Sequence, residues 1–543
     1  MFSGDVGAPP LSSRDSYSAD MNPRRVLSLA LRLVISGALL AAPSQFPAAV
    51  ADGEHARPSS KPNIVFILAD DLGFGDLGCY GQKLIRTPHL DRMAAEGMRL
   101  LQHYSGSAVC APSRCALMTG KHPGHGFVRD NREMKPEGQT PLPETTTTLA
   151  RLLQQHGCAT GAFGKWGLGG PRSSGDPLRQ GFSRFYGFNC QRVAHNYYPT
   201  HLWDDDRRVA LNNPEFSPHQ KLPASADPAN PASYAPHAGH DYAPDVIAAQ
   251  ARRFIRENKD RPFFLYFPTT VPHMALQVPE DSLAEYRGQW PEAPYPGTNG
   301  YLPHPTPRAA YAAMVTRLDR EVGSLVTLVK ELGLDERTVF VFTSDNGPLY
   351  NQLGGTDCGF FHSAGDFKGR KGSLYEGGVR VPCIVRWPGR IKPGATSDRV
   401  TGFEDWLPTL LELAGTRKSI PAGLDGISFA PTLLGKTQKP RPFLYREFPS
   451  YGGQQSVRVG RWKLVRQQLA QQAKDSTGSL RTELYDLSTD PGERTDVAAR
   501  HPDILAKLER IVREQHQPSP EFPLQAVDRN AQRQPIPSRA PPK

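Results

Sequence analysis

No stretch of this 543-residue chain reaches the roughly 20 consecutive apolar residues that a membrane-spanning helix needs. The two apolar runs near the start, Val26–Leu31 and Leu33–Ala42, are split by Arg32, which disfavours an anchor. Lys and Arg form no dense run and are not interleaved with aromatics. That argues against nucleic acid as a partner, although the formal net charge of +10 favours anions in general. Cysteine is scarce: seven residues, at spacings that match no zinc site, and an odd number that leaves at least one thiol unpaired. The chain has no internal repeat, which excludes a solenoid.

What is present begins with an export signal. Arg24 and Arg25 precede the apolar runs, and Ala49-Val50-Ala51 gives an A-x-A cleavage pattern before Asp52. Residues 1–51 therefore read as a signal peptide, with Met21 as a possible true start because the twenty residues before it are polar. The expected location is periplasmic or secreted. The remaining length exceeds one small domain. We place a large domain at 60–435, a small C-terminal unit at 436–516 and a Pro-rich disordered tail at 517–543.

Short apolar β-rich runs predict buried strands at Pro62–Ala69, Cys158–Phe163, Pro262–Phe267 and Thr338–Thr343. Helical patterns fall between them, at 87–101, 147–156, 241–258 and 307–334. This alternation predicts an α/β fold, with a central mostly parallel sheet covered by helices on both faces. Polar segments at 205–240 and 285–306 read as surface insertions. After about residue 435 the pattern changes to a hairpin over 456–466, a strand at 482–487 and a helix at 502–515. That predicts a small antiparallel sheet with a helix.

Chemistry gathers at strand ends. Asp70-Asp71 follows the first buried strand and Asp345-Asn346 the last, at the carboxyl ends where open α/β sheets bind ligands. Three carboxylates and an amide oxygen form a hard-oxygen set suited to Ca²⁺, less so to Mg²⁺, and not to zinc. Either pair alone also reads as an ordinary turn. Between them lies Cys110-Ala-Pro-Ser-Arg-Cys-Ala-Leu-Met-Thr-Gly120. Pro112 suits the first position of a helix, which puts Cys110 at its positive end, a place to hold or attack an anion. A buried hydrophobe, a disulfide partner of Cys115 and a thiol nucleophile are the other readings of Cys110. Lys165 and Lys371 sit in Gly-rich segments where backbone can approach an anion, and His273 follows the third buried strand.

The segment from Cys110 to Gly120 resembles the signature of the formylglycine-dependent (type I) sulfatases, the arylsulfatase family within the alkaline phosphatase superfamily. The likeness extends from about residue 62 to about 515, through Phe163–Gly169, Lys371–Pro382, Thr401–Gly415 and Glu483–Glu493. It implies an alkaline-phosphatase-like fold. It also implies that a formylglycine-generating enzyme oxidises Cys110 to an aldehyde, whose hydrate attacks sulfur and leaves a covalent sulfo-enzyme. Asp70, Asp71, Asp345 and Asn346 are implied as metal ligands together with residue 110. Arg114 is implied to hold the hydrate or the carboxylates, Lys165 and Lys371 the substrate sulfate, and His273 the proton for the leaving alcohol. The expected reaction is hydrolysis of a sulfate monoester of an aryl alcohol or a carbohydrate, including sulfated polysaccharide.

One position departs from the family. Its motif has His two residues after the Lys, and here residue 167 is Gly. His195, in an unusual His-Asn-Tyr-Tyr cluster, is the substitute we expect for the base of the second half-reaction; lining the pocket is its plainer role. Two alternatives stay open at this level: a phosphate mono- or diester hydrolase of the same superfamily, and a catalytically silent binder of sulfated glycans.

Overall fold

The structure is a computed structural model that describes residues 61–469 and 480–531. The expected signal peptide at 1–51 lies outside the described residues. Among those described, no helix is long and apolar enough to cross a membrane.

Fourteen strands are used here: β1 (Asn63–Ala69), β2 (Met98–Leu100), β3 (Ala159–Lys165), β4 (Arg184–Phe188), β5 (His201–Asp204), β6 (Arg207–Ala210), β7 (Phe263–Pro268), β8 (Thr338–Ser344), β9 (Cys383–Arg386), β10 (Ala395–Ser397), β11 (Leu444–Phe448), β12 (Gln454–Val459), β13 (Trp462–Gln467) and β14 (Arg481–Asp486). The first ten form one sheet in the order β10-β2-β9-β8-β1-β7-β3-β4-β5-β6. Its centre, β8-β1-β7-β3-β4, is parallel throughout, and antiparallel pairs occur only toward the edges.

Every residue of β1 is buried, as a strand covered on both faces must be. Val65, Ile67 and Ala69 point to one core, with helices α1 (Pro88–Ala95), α4 (Ala243–Glu257) and α5 (Pro307–Glu331). Ile64, Phe66 and Leu68 point to the other, with α2 (Cys110–Thr119), α3 (Leu149–Gln155) and α6 (Trp406–Leu413). Helices on both faces leave the carboxyl edge of the parallel strands as the open side.

The small sheet runs β11-β12-β13-β14, antiparallel throughout, with its hairpin turning at Gly460 (φ +57°). Helix α7 (Pro502–Gln515) covers it through Leu508 and Val512.

Three expectations are corrected. The helix expected over 87–101 stops at Ala95, and Met98–Leu100 is a strand. Gly97 lets the chain pass against β9, where a Cβ would stand 2.3 Å from the Val385 carbonyl oxygen. Pro112 is the third residue of α2, because the helix opens on Cys110 itself; the proline ring still falls among the first four positions, whose N–H groups have no intrahelical partner. Finally, the tail expected to be disordered from 517 is packed over its first part. Phe522 and Leu524 are buried, and α8 (Gln525–Ala531) follows them. All seven cysteines are free thiols, including Cys110 and Cys115, which removes the disulfide reading of that pair.

Candidate active site

The two acidic pairs meet where β1 and β8 end. These strands run in parallel with Ala69 opposite Ser344, so Asp70-Asp71 and Asp345-Asn346 leave the sheet side by side. All four side chains are fully buried. Asp71 takes a left-handed backbone (φ +65°), a conformation that Asp tolerates better than most residues. Its N–H donates to Asp345 Oδ1 at 3.2 Å, and Asn346 Nδ2 donates to Asp71 Oδ1 at 2.6 Å.

Cys110 opens α2 beside this group, its thiol 3.4 Å from Asp70 Oδ1. Lys165, the last residue of β3, sets its ammonium 2.6 Å from Asp70 Oδ2 and 3.5 Å from the Cys110 sulfur. Lys371 also reaches the group, 2.8 Å from Asp71 and 3.6 Å from the same sulfur. Arg114, one turn along α2, is fully buried; it binds Asp345 Oδ2 at 2.8 Å and stands 3.4 Å from Asp70. His273 Nε2 lies 3.4 Å from Asp71 Oδ2, and its Nδ1 bonds the Met274 carbonyl at 2.7 Å. Every residue expected in this centre is therefore brought to it, His195 as its outer neighbour.

The electrostatics follow from burial and mutual contact. Burial would raise the Asp70 carboxyl, but the Lys165 and Arg114 cations outweigh it and hold it far below the usual range. Burial and the neighbouring Asp70 carboxylate push Asp345 up to about 6 despite Arg114. Burial, with Asp345 and Asp70 nearby, drives the Cys110 thiol upward, so as a thiol it stays protonated. Burial, then Lys371 and Lys165, hold His273 neutral.

A cation fits this donor set. Asn346 Oδ1 is buried with no hydrogen-bond partner among the described residues, so one hard oxygen is left over beside three carboxylates. Asp70, Asp71, Cys110 and His273 converge closely enough to share one ion. The oxygens are hard donors.

His195 stacks on His273, centroids 4.7 Å apart, and its Nδ1 lies 3.1 Å from His219 Nε2. Tyr301 packs edge-on to both His195 and His273. Sequence reasoning missed His219 and Tyr301 as site residues. They come from the two insertions, which thus wall the site; the left-handed φ of +62° at Tyr301 is visible only in three dimensions. Gly167 also has a left-handed φ (+82°), and a Cβ there would stand 2.6 Å from Gln191 Nε2. Gln191, another residue missed, fills the place where the family motif has a histidine side chain.

With this geometry in view, the comparisons with known proteins become specific. A profile described as Sulfatase matches residues 62–416, and one described as N-sulphoglucosamine sulphohydrolase, C-terminal, matches 366–517. The chain belongs to the sulfatase family. Human arylsulfatase A is 35% identical over 487 residues, covering 84% of this chain and 87% of that protein. The N-acetylgalactosamine-6-O-sulfatase of Bacteroides thetaiotaomicron is 29% identical, covering 84% and 94%. Among solved structures, Ps i-CgsB in complex with k-i-k-neocarrahexaose superposes with a TM-score of 0.69 at 25% identity, covering 87% of this chain and 97% of its own. The sulfatase is an enzyme of sulfate ester hydrolysis, built on the alkaline-phosphatase-like fold expected from its motifs.

Proposed function

We propose that this sulfatase hydrolyses a sulfate monoester of a sugar, with residue 110, matured from Cys to formylglycine, as the nucleophile. The observation that carries the reading is the position of Cys110 at the head of α2, its sulfur within 3.6 Å of both Lys165 and Lys371 and beside Asp70. A relative named for N-acetylgalactosamine-6-O-sulfate and a solved structure holding a neocarrahexaose support a sugar as the alcohol.

Lys165 and Lys371 orient the sulfate oxygens as point charges beside residue 110. Arg114 fixes Asp345 and Asp70, so the carboxylates need not rearrange as charge develops. Asp70, Asp71, Asp345 and Asn346 would hold Ca²⁺, which neutralises sulfate charge and makes the attacking oxygen more acidic when bound. As the oxygen of residue 110 bonds to sulfur, the S–O bond to the alcohol breaks and His273 Nε2 delivers the alcohol its proton. The negative charge of bound sulfate favours the imidazolium form that this step needs. In the second half-reaction the remaining hydroxyl of the covalent sulfo-enzyme loses its proton, the aldehyde reforms and sulfate leaves. His195 takes that proton in our reading, because Gly167 supplies no side chain and the Gln191 amide is no base. Export from the cell through a signal peptide at 1–51, and maturation by a formylglycine-generating enzyme, belong to the same proposal.

Mass spectrometry of the Cys110 peptide from the native host tests the nucleophile. Formylglycine weighs about 18 Da less than cysteine, and an intact thiol in active protein defeats the mechanism. For the base, His195→Ala is expected to lower turnover about 100-fold and to accumulate sulfated enzyme. Unchanged turnover without that species would remove His195 from the reaction.

A further inference from the structure

Two large aromatic side chains stand exposed at the rim of the catalytic centre and take no part in the chemistry above. Tyr350 is 37% exposed and Tyr451 62%; their rings stack with centroids 6.3 Å apart and planes 23° apart. They come from parts of the chain about a hundred residues apart. Tyr350 follows the Asp345-Asn346 pair, and Tyr451 lies in the turn joining β11 to β12.

Both are stitched to the segment that carries Lys371. The Lys371 N–H donates to the Pro348 carbonyl at 2.9 Å, which ties down the loop leading to Tyr350. Gln454 Nε2 donates to the Gly372 carbonyl at 2.7 Å and its Oε1 accepts from the Leu374 N–H at 3.0 Å, which ties down the end of the Tyr451 turn. A Cβ on Gly372 would stand 2.5 Å from the Tyr350 hydroxyl and 3.3 Å from the Tyr451 ring. Gly372 in turn donates to the Ala108 carbonyl, two residues before Cys110. The ring pair thus sits one lysine side chain away from the reacting position.

Tyr451 has a left-handed backbone (φ +53°), as do Gly452 and Gly453 after it. A bulky residue there is strained where glycine would be relaxed, and such outliers mark functional positions. Folding gains little in return from a ring this exposed, whose aromatic neighbours among the described residues are Tyr350 and Phe448.

We propose that Tyr350 and Tyr451 form a stacking platform for the sugar unit adjoining the sulfated one, so that the enzyme selects a sulfated chain over a sulfated monosaccharide. The inference rests on the sugar-sulfate reading above. An aromatic face complements the apolar C–H face of a pyranose, and the phenolic hydroxyls offer donors and acceptors to its edge. Tyr451 reaches the platform from the β11–β12 turn, so chain-length selection depends on how the small sheet packs beside the Lys371 segment.

The test compares wild type with Tyr350→Ala, Tyr451→Ala and the double variant, each checked for folding by thermal melting. Sulfate release is followed from tetrasaccharides of chondroitin sulfate, heparan sulfate and carrageenan, from the matching monosaccharide sulfates and from p-nitrophenyl sulfate. The double variant is expected to lower kcat/KM for the preferred tetrasaccharide about tenfold relative to its monosaccharide sulfate, through KM. An unchanged preference for the longer substrate overturns the platform alone, whereas wild-type turnover of p-nitrophenyl sulfate with none of the glycans overturns the sugar reading and the platform with it. An equal loss on p-nitrophenyl sulfate replaces the sugar with an aryl group as occupant. Wild-type protein inactive on every sulfate ester overturns the hydrolytic reading, and the platform with it.

Discussion

Two polar clusters, one fully buried at the start of α2 and one partly buried just past its end, look alike in composition and differ in kind. At its start, Asp70, Asp71, Cys110 and His273 converge; just past its end, His122, His125 and Asp425 do the same. In the second cluster the hydrogen bonds close. Asp425 Oδ2 accepts from the His122 N–H at 3.0 Å, and Oδ1 takes His125 Nδ1 at 2.8 Å. The Gly124 N–H donates to His122 Nδ1, so the ring proton sits on Nε2 and goes to Gln515 Oε1 at 3.2 Å. With its proton there, His122 has no lone pair left for a metal. The first cluster does not close: Asn346 Oδ1 has no partner among the described residues. Ligand-like residue types in proximity are therefore a weak sign of a metal. A donor left over after the protein's own hydrogen bonds are made is a stronger one.

The largest effect that tests this contrast is at residue 110. Cys110→Ala is expected to abolish sulfate release, by about 10⁴-fold or more, while leaving the melting temperature nearly unchanged. Substantial residual turnover would move the nucleophile elsewhere.

Next in size is the closed cluster. Burial depresses the His122 pKa to about 4, against 6.5 when unfolded. Its contribution to stability is then complete above pH 6.5. It is lost as pH falls toward 4, because the unfolded chain takes up a proton that the folded one refuses; the loss is about 3 kcal/mol. Denaturant titrations across that range should show this decline, and His122→Gln should flatten it. An unaltered slope would mean that His122 is not held neutral.

Calcium should act on the open cluster alone. At free Ca²⁺ about 100-fold above its Kd the enzyme gains about 2.7 kcal/mol, seen as a melting temperature that falls with chelator and recovers on adding Ca²⁺. Asn346→Ala should shrink that shift and His122→Gln should not. Equal shrinkage in both would erase the distinction between the clusters.

The smallest effect lies at the edge of the catalytic centre. Gly167→Ala is expected to cost about 1 kcal/mol, because φ there is +82° and the new Cβ meets Gln191. Pairing it with Gln191→Ala should relieve part of that cost. No change in the single variant would show that Gln191 yields easily and that the site has room for a side chain at 167.

Much of the fold was legible in the chain because it follows from period and burial. The stretches Ile64–Ala69 and Val339–Phe342 are apolar at every position, which suits a strand covered on both faces. The helix Pro502–Gln515 came out with the bounds expected, since its apolar stripe is regular and Pro opens it. The failures were local. Met98–Leu100 has the composition of a helix end, and only pairing with β9 and β10 makes it a strand. Residues 518–524 look like tail by composition, yet a few apolar side chains suffice to seat them.

The sequence alone determined the chemistry available here: the acidic pairs at strand ends, the Cys-x-Pro-Ser-Arg segment, two lysines in glycine-rich surroundings and the missing histidine at 167. These are written in consecutive residues, because each serves one turn or one strand end. Tertiary structure decided what those residues share. It brought Lys371 to Cys110 across 261 positions, set His195 on His273, filled the space at Gly167 with Gln191 and stacked Tyr451 on Tyr350. Contacts of that kind arise from packing between elements far apart along the chain, and no local pattern of residues records them.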